Sequence, residues 1–303
     1  MTMLIPATEH MAQRYQEVDG WPTADLLDTL YEGQLTAMAA VRAALPQLVA
    51  ATDAAVQVLG ISGRLVYVGA GTSGRLGVLD GAELPPTFNW PRERLVFVMA
   101  GGLGALTHSV EGAEDSAAAG LAAMEEHAIG PSDVVIGLAA SGSTPFTVAA
   151  IEAATARGAV TIGIANNPAA ALLAAARYPV LIATGAEVIA GSTRMKAGTA
   201  QKSVLTMLST AIMVGLGRVY RGLMVQMQAT NAKLLRRAAR MVHQIVGCPL
   251  SDAEEALTAA GGDVKHAILI ASGLSATGAA AMLDQHGGNP RAALAEVGGA
   301  PPR

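Results

Sequence analysis

Residues 69–83, "GAGTSGRLGVLDGAE", decide the fold of this 303-residue chain. Three glycines spaced as G-x-G-x-x-G follow the apolar run "RLVYV", so a buried strand, a tight turn and a helix are expected in succession. Loops of this kind bind either dinucleotides or smaller phosphates at the start of the helix. Other parts of the sequence distinguish a dinucleotide from a smaller phosphate as the ligand.

Four further apolar runs rich in β-branched residues indicate strands, and Ala-rich segments with helical periodicity separate them. The five predicted strands are Leu65–Val68, Arg94–Met99, Asp133–Leu138, Val160–Ile164 and Pro179–Ile182. Strands that alternate with helices, such as Ser116–His127 and Phe146–Arg157, form a parallel sheet with both faces covered. The predicted fold class is therefore α/β, a three-layer sandwich around a five-stranded parallel sheet.

Helical regions flank this sheet on both sides in the chain. Thr23–Leu59 is predicted as one or two helices, and Thr193–Leu223 as a long apolar helix whose methionines pack in a core or a subunit interface. From Thr230 the helices become short and charged, with stop signals at 247–249, 260–263 and 286–290. We predict three domains: an N-terminal helical segment (1–54), a ligand-binding α/β domain (55–228) and a C-terminal helical module (229–303).

Composition excludes several classes of protein. Apolar residues make up 51% of the chain and aromatic residues only 3%, which suits closely packed helices and argues against disorder. The net charge of −4 gives no reason to expect a nucleic-acid partner. With neither a signal peptide nor a run of about 18 uninterrupted apolar residues, we expect a soluble, cytoplasmic protein without a membrane partner.

Metal and disulfide chemistry are not expected. Cys248 is the only cysteine, so an intrachain disulfide is excluded. The six histidines are scattered, with no pair at helical ligand spacing. The sequence therefore predicts no metal site.

A dinucleotide is a poor match for the glycine turn. Binding of NAD needs an acidic residue about 20 residues on, at the end of the second strand. Here that strand ends in Ala100, Gly101 and Gly102. A lysine-containing phosphate loop of the form G-x-x-x-x-G-K-[ST] is missing as well. A phosphate monoester suits the turn better.

Hydroxyl side chains gather in the loops after the first and third predicted strands. These ends of parallel strands meet at one edge of a sheet, and each loop opens a helix whose N–H groups attract anions. A third segment, 191–202, brings further polar side chains, Ser192, Thr193, Arg194 and Lys196, near a helix start. We predict a phosphate site in the first two loops, although ordinary tight turns stay an open alternative. The phosphate-binding residues would be Gly71, Thr72, Ser73, Ser141, Ser143 and Thr144.

Two glutamates stand near the same edge. Glu83 is expected at the end of the first helix, which Leu84-Pro85-Pro86 should close. Glu114 lies in "VEGAEDS" (110–116), where Asp115 or Ser116 is expected to cap the next helix. Two carboxylates on one substrate can act as an acid and a base, whereas a solvated helix face is the alternative for each.

Several long motifs resemble the N-acetylmuramic acid 6-phosphate etherase family of the sugar isomerase (SIS) domain superfamily. They are "GAGTSGRLGVLDGAELPPTF" (69–88), "SVEGAEDS" (109–116), "ASGSTPF" (140–146) and "GSTRMKAGTAQKSVLTMLST" (191–210). The likeness continues through "ATNAKL" (229–234) and "LDQHGG" (283–288), so it covers nearly the whole chain. At the N-terminus Thr8 and Glu9 are retained, but the Asn and Ser usual in the family are replaced.

The resemblance implies a function and a site. The family cleaves the lactyl ether of N-acetylmuramic acid 6-phosphate to N-acetylglucosamine 6-phosphate and D-lactate in cell-wall recycling. Its catalytic acid falls on Glu83 and its second catalytic glutamate on Glu114. The resemblance also implies a SIS-type fold, a homodimer, a sugar-phosphate substrate and neither a metal nor an organic cofactor.

The chemistry of such a substrate assigns the two roles. An ether at C3 of an open-chain aldose lies β to the C1 aldehyde, so the C2 proton is acidic and its removal expels the protonated C3 oxygen. We expect Glu114 as the base at C2 and Glu83 as the acid at the ether oxygen, with water then adding at C3. The 6-phosphate orients the sugar. The lactyl carboxylate is expected to pair with a basic side chain. On charge alone the candidates are Arg75, Arg194 and Lys196.

Helix length poses a difficulty for a site within one subunit. A continuous helix from Ser73 would carry Glu83 about 15 Å from its own phosphate loop. Either Gly77 and Gly81 interrupt the helix, or Glu83 works in the site of the neighbouring subunit. We predict a site shared across the dimer.

Residues 251–272 resemble the three-helix pattern of ubiquitin-associated (UBA) domains, and we expect them to support packing or dimerisation rather than to bind a ligand. Two other functions stay open: a sugar-phosphate-responsive regulator similar to the glucokinase regulatory protein, and a SIS-type aldose–ketose isomerase. Retention of both Glu83 and Glu114 favours the etherase.

Overall fold

The computed structural model describes residues 6–60, 62–227 and 231–298. The described part contains five strands, each within one residue of its predicted bounds. The elements are α1 (Thr23–Leu59), β1 (Leu65–Gly69), α2 (Gly71–Phe88), β2 (Leu95–Met99), α3 (Ala117–Glu126), β3 (Val134–Ala139), α4 (Pro145–Ala156), β4 (Val160–Ala165), α5 (Ala171–Ala175), β5 (Tyr178–Leu181), α6 (Lys196–Gly215), α7 (Ala232–Val246), α8 (Leu250–Ala259), α9 (Val264–Ala271), α10 (Ala276–Gln285) and α11 (Pro290–Glu296).

The strands form one parallel sheet in the order β2-β1-β3-β4-β5. Every residue of β1, β3 and β4 is buried, as expected for strands with helices on both faces. The strand β2 lies on one side of β1, and β3, β4 and β5 follow in turn on the other side. The strand order therefore reverses between β1 and β3. Open sheets of this order bind ligands at that reversal, beyond the carboxyl ends of the strands.

Helices cover both faces of the sheet, which confirms the predicted α/β sandwich. Val66 and Val135 point to one face, where they join a core with residues of α3, α4 and α5. Tyr67 points to the opposite face because side chains alternate along a strand, and there it meets α2 at Gly77 and Gly81.

The long helix α1 is continuous and contains Pro46. Its buried residues recur every three or four positions, and it packs against β3, β4 and β5. Its length and apolar composition would also suffice to cross a membrane, with a best 18-residue window of mean hydropathy 1.3 of which 28% is buried. The expectation of no membrane partner therefore stays a prediction.

The helix α2 is longer than expected. It continues through Pro85 and Pro86 to Phe88, so the prediction that these prolines close it after Glu83 was wrong. Each proline removes one helical N–H donor, but Leu84 and Phe88 are buried and anchor the last turns. The helix also continues without a break through Gly77 and Gly81. By contrast, α6 is shorter than the predicted Thr193–Leu223 segment.

The chain divides into two compact units. The first comprises the described residues up to Ala82 together with Glu93–Ser209, and the second comprises Glu83–Arg92 and the described residues from Thr210 onward. The second unit has its own apolar core, built by residues of α7, α8 and α9. Its turns fall at Gly247, at Gly261 and Gly262, and at Gly287 and Gly288, all with positive φ, as the stop signals predicted. The three-domain division and the UBA likeness stay predictions, and the expected boundary at 228/229 lies outside the described residues.

Candidate active site at the carboxyl edge of the sheet

The glycine turn brings helix α2 directly onto strand β1. A Cβ atom on Gly69 would lie 2.8 Å from the backbone N and Cα of Gly74, and one on Gly74 would lie 2.8 Å from the Gly69 carbonyl oxygen. Real Cβ atoms do not approach backbone so closely, so both positions require glycine. The spacing that resembles a dinucleotide loop thus serves a close strand-to-helix turn, with the first N–H groups of α2 at its rim.

The loops after β1 and β3 flank the reversal of strand order and enclose a cavity of about 280 Å³. Backbone and hydroxyl groups from both loops line it, together with Glu114 and parts of two more distant segments. The lining residues are Glu9, Ala70, Gly71, Thr72, Ser73, Glu114, Ala139, Ala140, Ser141, Thr144, Gly191 and Thr193. We call this the hydroxyl cavity.

The predicted phosphate residues occupy different positions around this cavity. Gly71, Thr72, Ser73, Ser141 and Thr144 line it, whereas Ser143 does not. The backbone N–H and the hydroxyl of Ser143 both donate to Oγ of Ser141, at 3.2 and 3.1 Å. Thr144 precedes Pro145 at the first position of α4, so that helix directs its N-terminus to the loop.

The Ser73 hydroxyl already has a partner. It is buried and donates to Oε1 of Gln201 at 2.8 Å, and Nε2 of Gln201 donates to Oδ1 of Asn166 at 3.0 Å. This leaves the backbone N–H of Ser73, rather than its hydroxyl proton, for an anion. Asn166 stands beside Asn167 and Gln201 beside Lys202, so no local sequence pattern distinguished this network.

A second cavity, of about 260 Å³, adjoins the first and shares Ala70, Gly71 and Glu114 with it. Its lining includes Arg75, Ser109 and Glu111. Nε and Nη2 of Arg75 donate to the Ala105 carbonyl at 3.2 and 2.9 Å, which holds the guanidinium in place. We call this the Arg75 cavity.

Glu114 stands where the two cavities meet. It belongs to a single 3₁₀ turn, Ala113–Asp115, that follows Gly112 in the left-handed conformation. Ala113 packs against the core beside α4, and Ser116 caps α3 by accepting from the Ala119 N–H at 3.2 Å. The turn is thereby anchored at both ends, and the exposed Glu114 side chain faces the cavities.

Glu83 is exposed on α2. Because α2 is unbroken, about 15 Å of helix separates Glu83 from Ser73. Neither cavity includes Glu83 in its lining.

The N-terminal arm, residues 6–22 before α1, contributes a residue that the sequence motifs did not assign to the site. Thr8 is fully buried; its N–H donates to Oδ1 of Asn167, and its Oγ1 accepts from Nδ2 of the same side chain, at 3.3 and 3.0 Å. The Thr8 carbonyl accepts from the Gly191 N–H at 3.0 Å. These bonds bring the next residue, Glu9, to the rim of the hydroxyl cavity. The retained Thr8-Glu9 pair was the available signal.

Two basic residues expected at the site lie elsewhere. Lys196 is buried, and its Nζ donates to the Thr184 carbonyl at 3.0 Å. Burial lowers the pKa of Lys196. Its backbone N–H donates to the buried Glu187, which caps the start of α6. Arg194 is exposed, and neither residue lines the hydroxyl cavity or the Arg75 cavity.

Metal ligation finds no support in the part of the chain that the structure describes. No group of three or more His, Cys, Asp or Glu residues there is arranged to hold an ion. The cavities are instead lined by hydroxyls, backbone N–H groups, carboxylates and one guanidinium. Such a set suits binding of an anionic sugar and proton transfer.

Comparison with known families agrees with this geometry. The SIS domain model matches residues 111–211, and the model of the glucokinase regulatory protein N-terminal SIS domain matches residues 47–155. The fold and the site therefore define a protein with a SIS domain.

Relatives over nearly the full length narrow the assignment. N-acetylmuramic acid 6-phosphate etherase of Deinococcus radiodurans is 52% identical over 95% of both chains. The etherase of Streptomyces avermitilis is 45% identical over 95% of this chain and 93% of its own, and that of Symbiobacterium thermophilum is 49% identical over 86% and 87%. This chain belongs to the N-acetylmuramic acid 6-phosphate etherase family.

Proposed function

We propose that the protein cleaves the D-lactyl ether of N-acetylmuramic acid 6-phosphate and yields N-acetylglucosamine 6-phosphate and D-lactate. The position of Glu114, in the linings of both cavities, carries this proposal. Each cavity is smaller than the roughly 300 Å³ at which ligand pockets usually begin. A hexose phosphate with a lactyl substituent would extend through both and pass Glu114 at their junction.

The two ends of the substrate match the two cavities. The phosphate would lie in the hydroxyl cavity, against the N-termini of α2 and α4 and the hydroxyls of Thr72, Ser141 and Thr144. The lactyl carboxylate would pair with Arg75, whose guanidinium is already oriented by the Ala105 carbonyl. Arg194 stays a second option for this contact, and the buried position of Lys196 disfavours it.

The reaction is an elimination followed by an addition. The Glu114 carboxylate takes the C2 proton, the electron pair forms the C2–C3 double bond, and the C3–O bond breaks while the Glu83 carboxyl group protonates the departing lactate oxygen. Water then adds at C3 of the unsaturated aldehyde, and the proton returns to C2. Ether and water are consumed, and sugar and lactate are formed without an oxidant or reductant.

A second copy of the chain would complete the site. The unbroken helix α2 holds Glu83 about 15 Å along the helix from its own phosphate loop, so we assign Glu83 to the site of a neighbouring subunit. An apolar stripe on α1 offers a surface for such a homodimer. It consists of side chains one turn apart, each at least 45% exposed: Leu27, Tyr31, Leu35 and Met38.

Lactate release separates this function from its rivals. Purified protein incubated with N-acetylmuramic acid 6-phosphate should release D-lactate and N-acetylglucosamine 6-phosphate in equal amounts. An aldose–ketose isomerase would interconvert sugar phosphates without releasing lactate. The match to the regulatory-protein model favours, as a second candidate, a regulator that binds the sugar phosphate unchanged. Binding without lactate would refute the etherase proposal.

A further inference from the structure

The carboxylate of Glu9 lies beside Gly191 at the rim of the hydroxyl cavity. A Cβ atom at Gly191, where φ is +75°, would come within 2.8 Å of Oε2 of Glu9. Gly191 thus leaves the space that the carboxylate uses. Both residues belong to the cavity lining, with Thr193 and the hydroxyl loops.

Glu9 does not hold the arm in place. The neighbouring Thr8 does so through Asn167 and Gly191, and its side chain is fully buried. The Glu9 side chain is exposed to the cavity. Among the described residues the Glu9 carboxylate has no ion pair or hydrogen-bond donor, so its charge is open to a ligand.

The charge of the hydroxyl cavity constrains what Glu9 can bind. The lining that the structure describes contains two carboxylates, Glu9 and Glu114, and no lysine or arginine. A phosphate group bound to the loops of β1 and β3 would be repelled by a nearby carboxylate. Glu9 suits the neutral donors of a ligand, such as hydroxyl groups, because an ionised carboxylate accepts strong hydrogen bonds from them.

We propose that Glu9 binds hydroxyl groups of the sugar chain and so makes the site select a sugar phosphate over the free phosphate ion. The inference rests on the proposed sugar-phosphate function and adds a specificity-determining residue to it. For a sugar phosphate, hydrogen bonds from the sugar hydroxyls to Glu9 offset the repulsion between the Glu9 carboxylate and the phosphate group. An inorganic phosphate ion meets only the repulsion.

Calorimetric binding of two probes tests this inference. N-acetylglucosamine 6-phosphate and inorganic phosphate are titrated into the wild-type protein and the isosteric Glu9→Gln variant. We expect the ratio of the two dissociation constants, phosphate over sugar phosphate, to fall about tenfold in the variant, because a neutral amide accepts weaker hydrogen bonds from the sugar hydroxyls, whereas the relief of repulsion acts on the phosphate of both ligands and cancels in the ratio. An unchanged ratio, including equal weakening of both ligands by a displaced arm, overturns the proposal.

Glu17→Gln is the matched control. Glu17 is an exposed carboxylate of the same arm and lines neither cavity. The substitution removes the same charge, and the selectivity ratio should stay at the wild-type value. A fall equal to that of Glu9→Gln would assign the effect to net charge and overturn the proposal.

The two hypotheses fail separately. These titrations involve no cleavage, so loss of the Glu9 effect in a protein that releases lactate refutes the specificity role alone. Conversely, if the protein releases no lactate but Glu9→Gln lowers the selectivity ratio tenfold, only the etherase proposal is refuted.

Discussion

The hydroxyl of Tyr67 donates a hydrogen bond of 3.0 Å to Oδ2 of Asp80. Oδ1 of the same carboxylate accepts from the Ser209 hydroxyl at 3.3 Å. The bonds join β1, α2 and α6 in the interior of the first unit, where Asp80 is only 4% exposed. Burial raises the pKa of Asp80, and these hydrogen bonds and Lys202 oppose that rise.

Removing this buried acceptor should destabilise the protein. Asp80→Ala leaves two buried hydroxyl donors without a partner, which we expect to cost about 2–4 kcal/mol. Asp80→Asn keeps the shape and one acceptor, so its cost should be under half of that. Thermal unfolding of the two variants measures the difference, and equal stabilities would contradict a structural role for the two bonds.

Two glycines on one face of α2 should respond differently to alanine. A Cβ at Gly81 would lie 2.5 Å from Cε1 of Phe97, whereas one at Gly77 would lie 3.3 Å from Cβ of Tyr67. Gly81→Ala should therefore destabilise by about 1–3 kcal/mol through overpacking. Gly77→Ala should be near neutral because its tighter contact is offset by a gain in helix propensity of roughly 1 kcal/mol. Chemical denaturation compares the pair, and the reverse order of stabilities would refute the described contact of α2 with the sheet.

The second unit contains a buried lysine with an unusual titration. Lys265 donates to the Gly288 carbonyl at 2.7 Å, and burial, together with the nearby Arg218 charge, lowers its pKa to about 8. Between pH 8 and 10.5 the folded state therefore binds fewer protons at this site than the unfolded state, and its contribution to stability rises with pH.

A variant without this titration isolates the effect. Relative to Lys265→Met, the free energy of unfolding of the wild type should increase by about 3 kcal/mol between pH 7 and 10.5. Denaturation at a series of pH values gives both curves. Parallel curves would show that Lys265 has an ordinary pKa in the folded protein.

The two glutamates should complement each other across subunits. Glu83→Gln and Glu114→Gln should each lower kcat by about 10²–10⁴-fold as general acid–base groups. If the site is shared, an equal mixture of the two inactive proteins forms dimers with one intact site and recovers about a quarter of the wild-type activity in a symmetric dimer. No recovery, after labelled subunits are shown to exchange, would place both residues in one subunit.

Local patterns predicted much of the fold and part of the site. The five strands are short apolar runs, and their parallel arrangement follows from the helices between them. It also follows that the loops at Gly71 and Ser141 lie at one edge, since the carboxyl ends of parallel strands coincide. The etherase motifs assigned Glu83 and Glu114, which neither composition nor periodicity distinguishes from other exposed glutamates.

Long-range contacts explain what the sequence did not predict. Thr8 pairs with Asn167, 159 positions away, and also with Gly191, and these contacts bring Glu9 to the cavity. Lys196 was expected at the ligand on charge alone, but the Thr184 carbonyl and the capping carboxylate of Glu187 retain it in the interior. The prolines at 85 and 86 indicate a helix end locally, whereas burial of the flanking Leu84 and Phe88 keeps the helix intact.

The proposed mechanism requires that a proton leaves C2 and that the bond broken lies between C3 and the lactyl oxygen. Cleavage of N-acetylmuramic acid 6-phosphate in water labelled with both ¹⁸O and deuterium tests it by mass spectrometry of the two products. Elimination followed by addition of water predicts ¹⁸O at C3 and deuterium at C2 of the sugar, and lactate whose ether oxygen is unlabelled. Lactate that carries the ¹⁸O in its hydroxyl group, with a sugar free of deuterium, would contradict it.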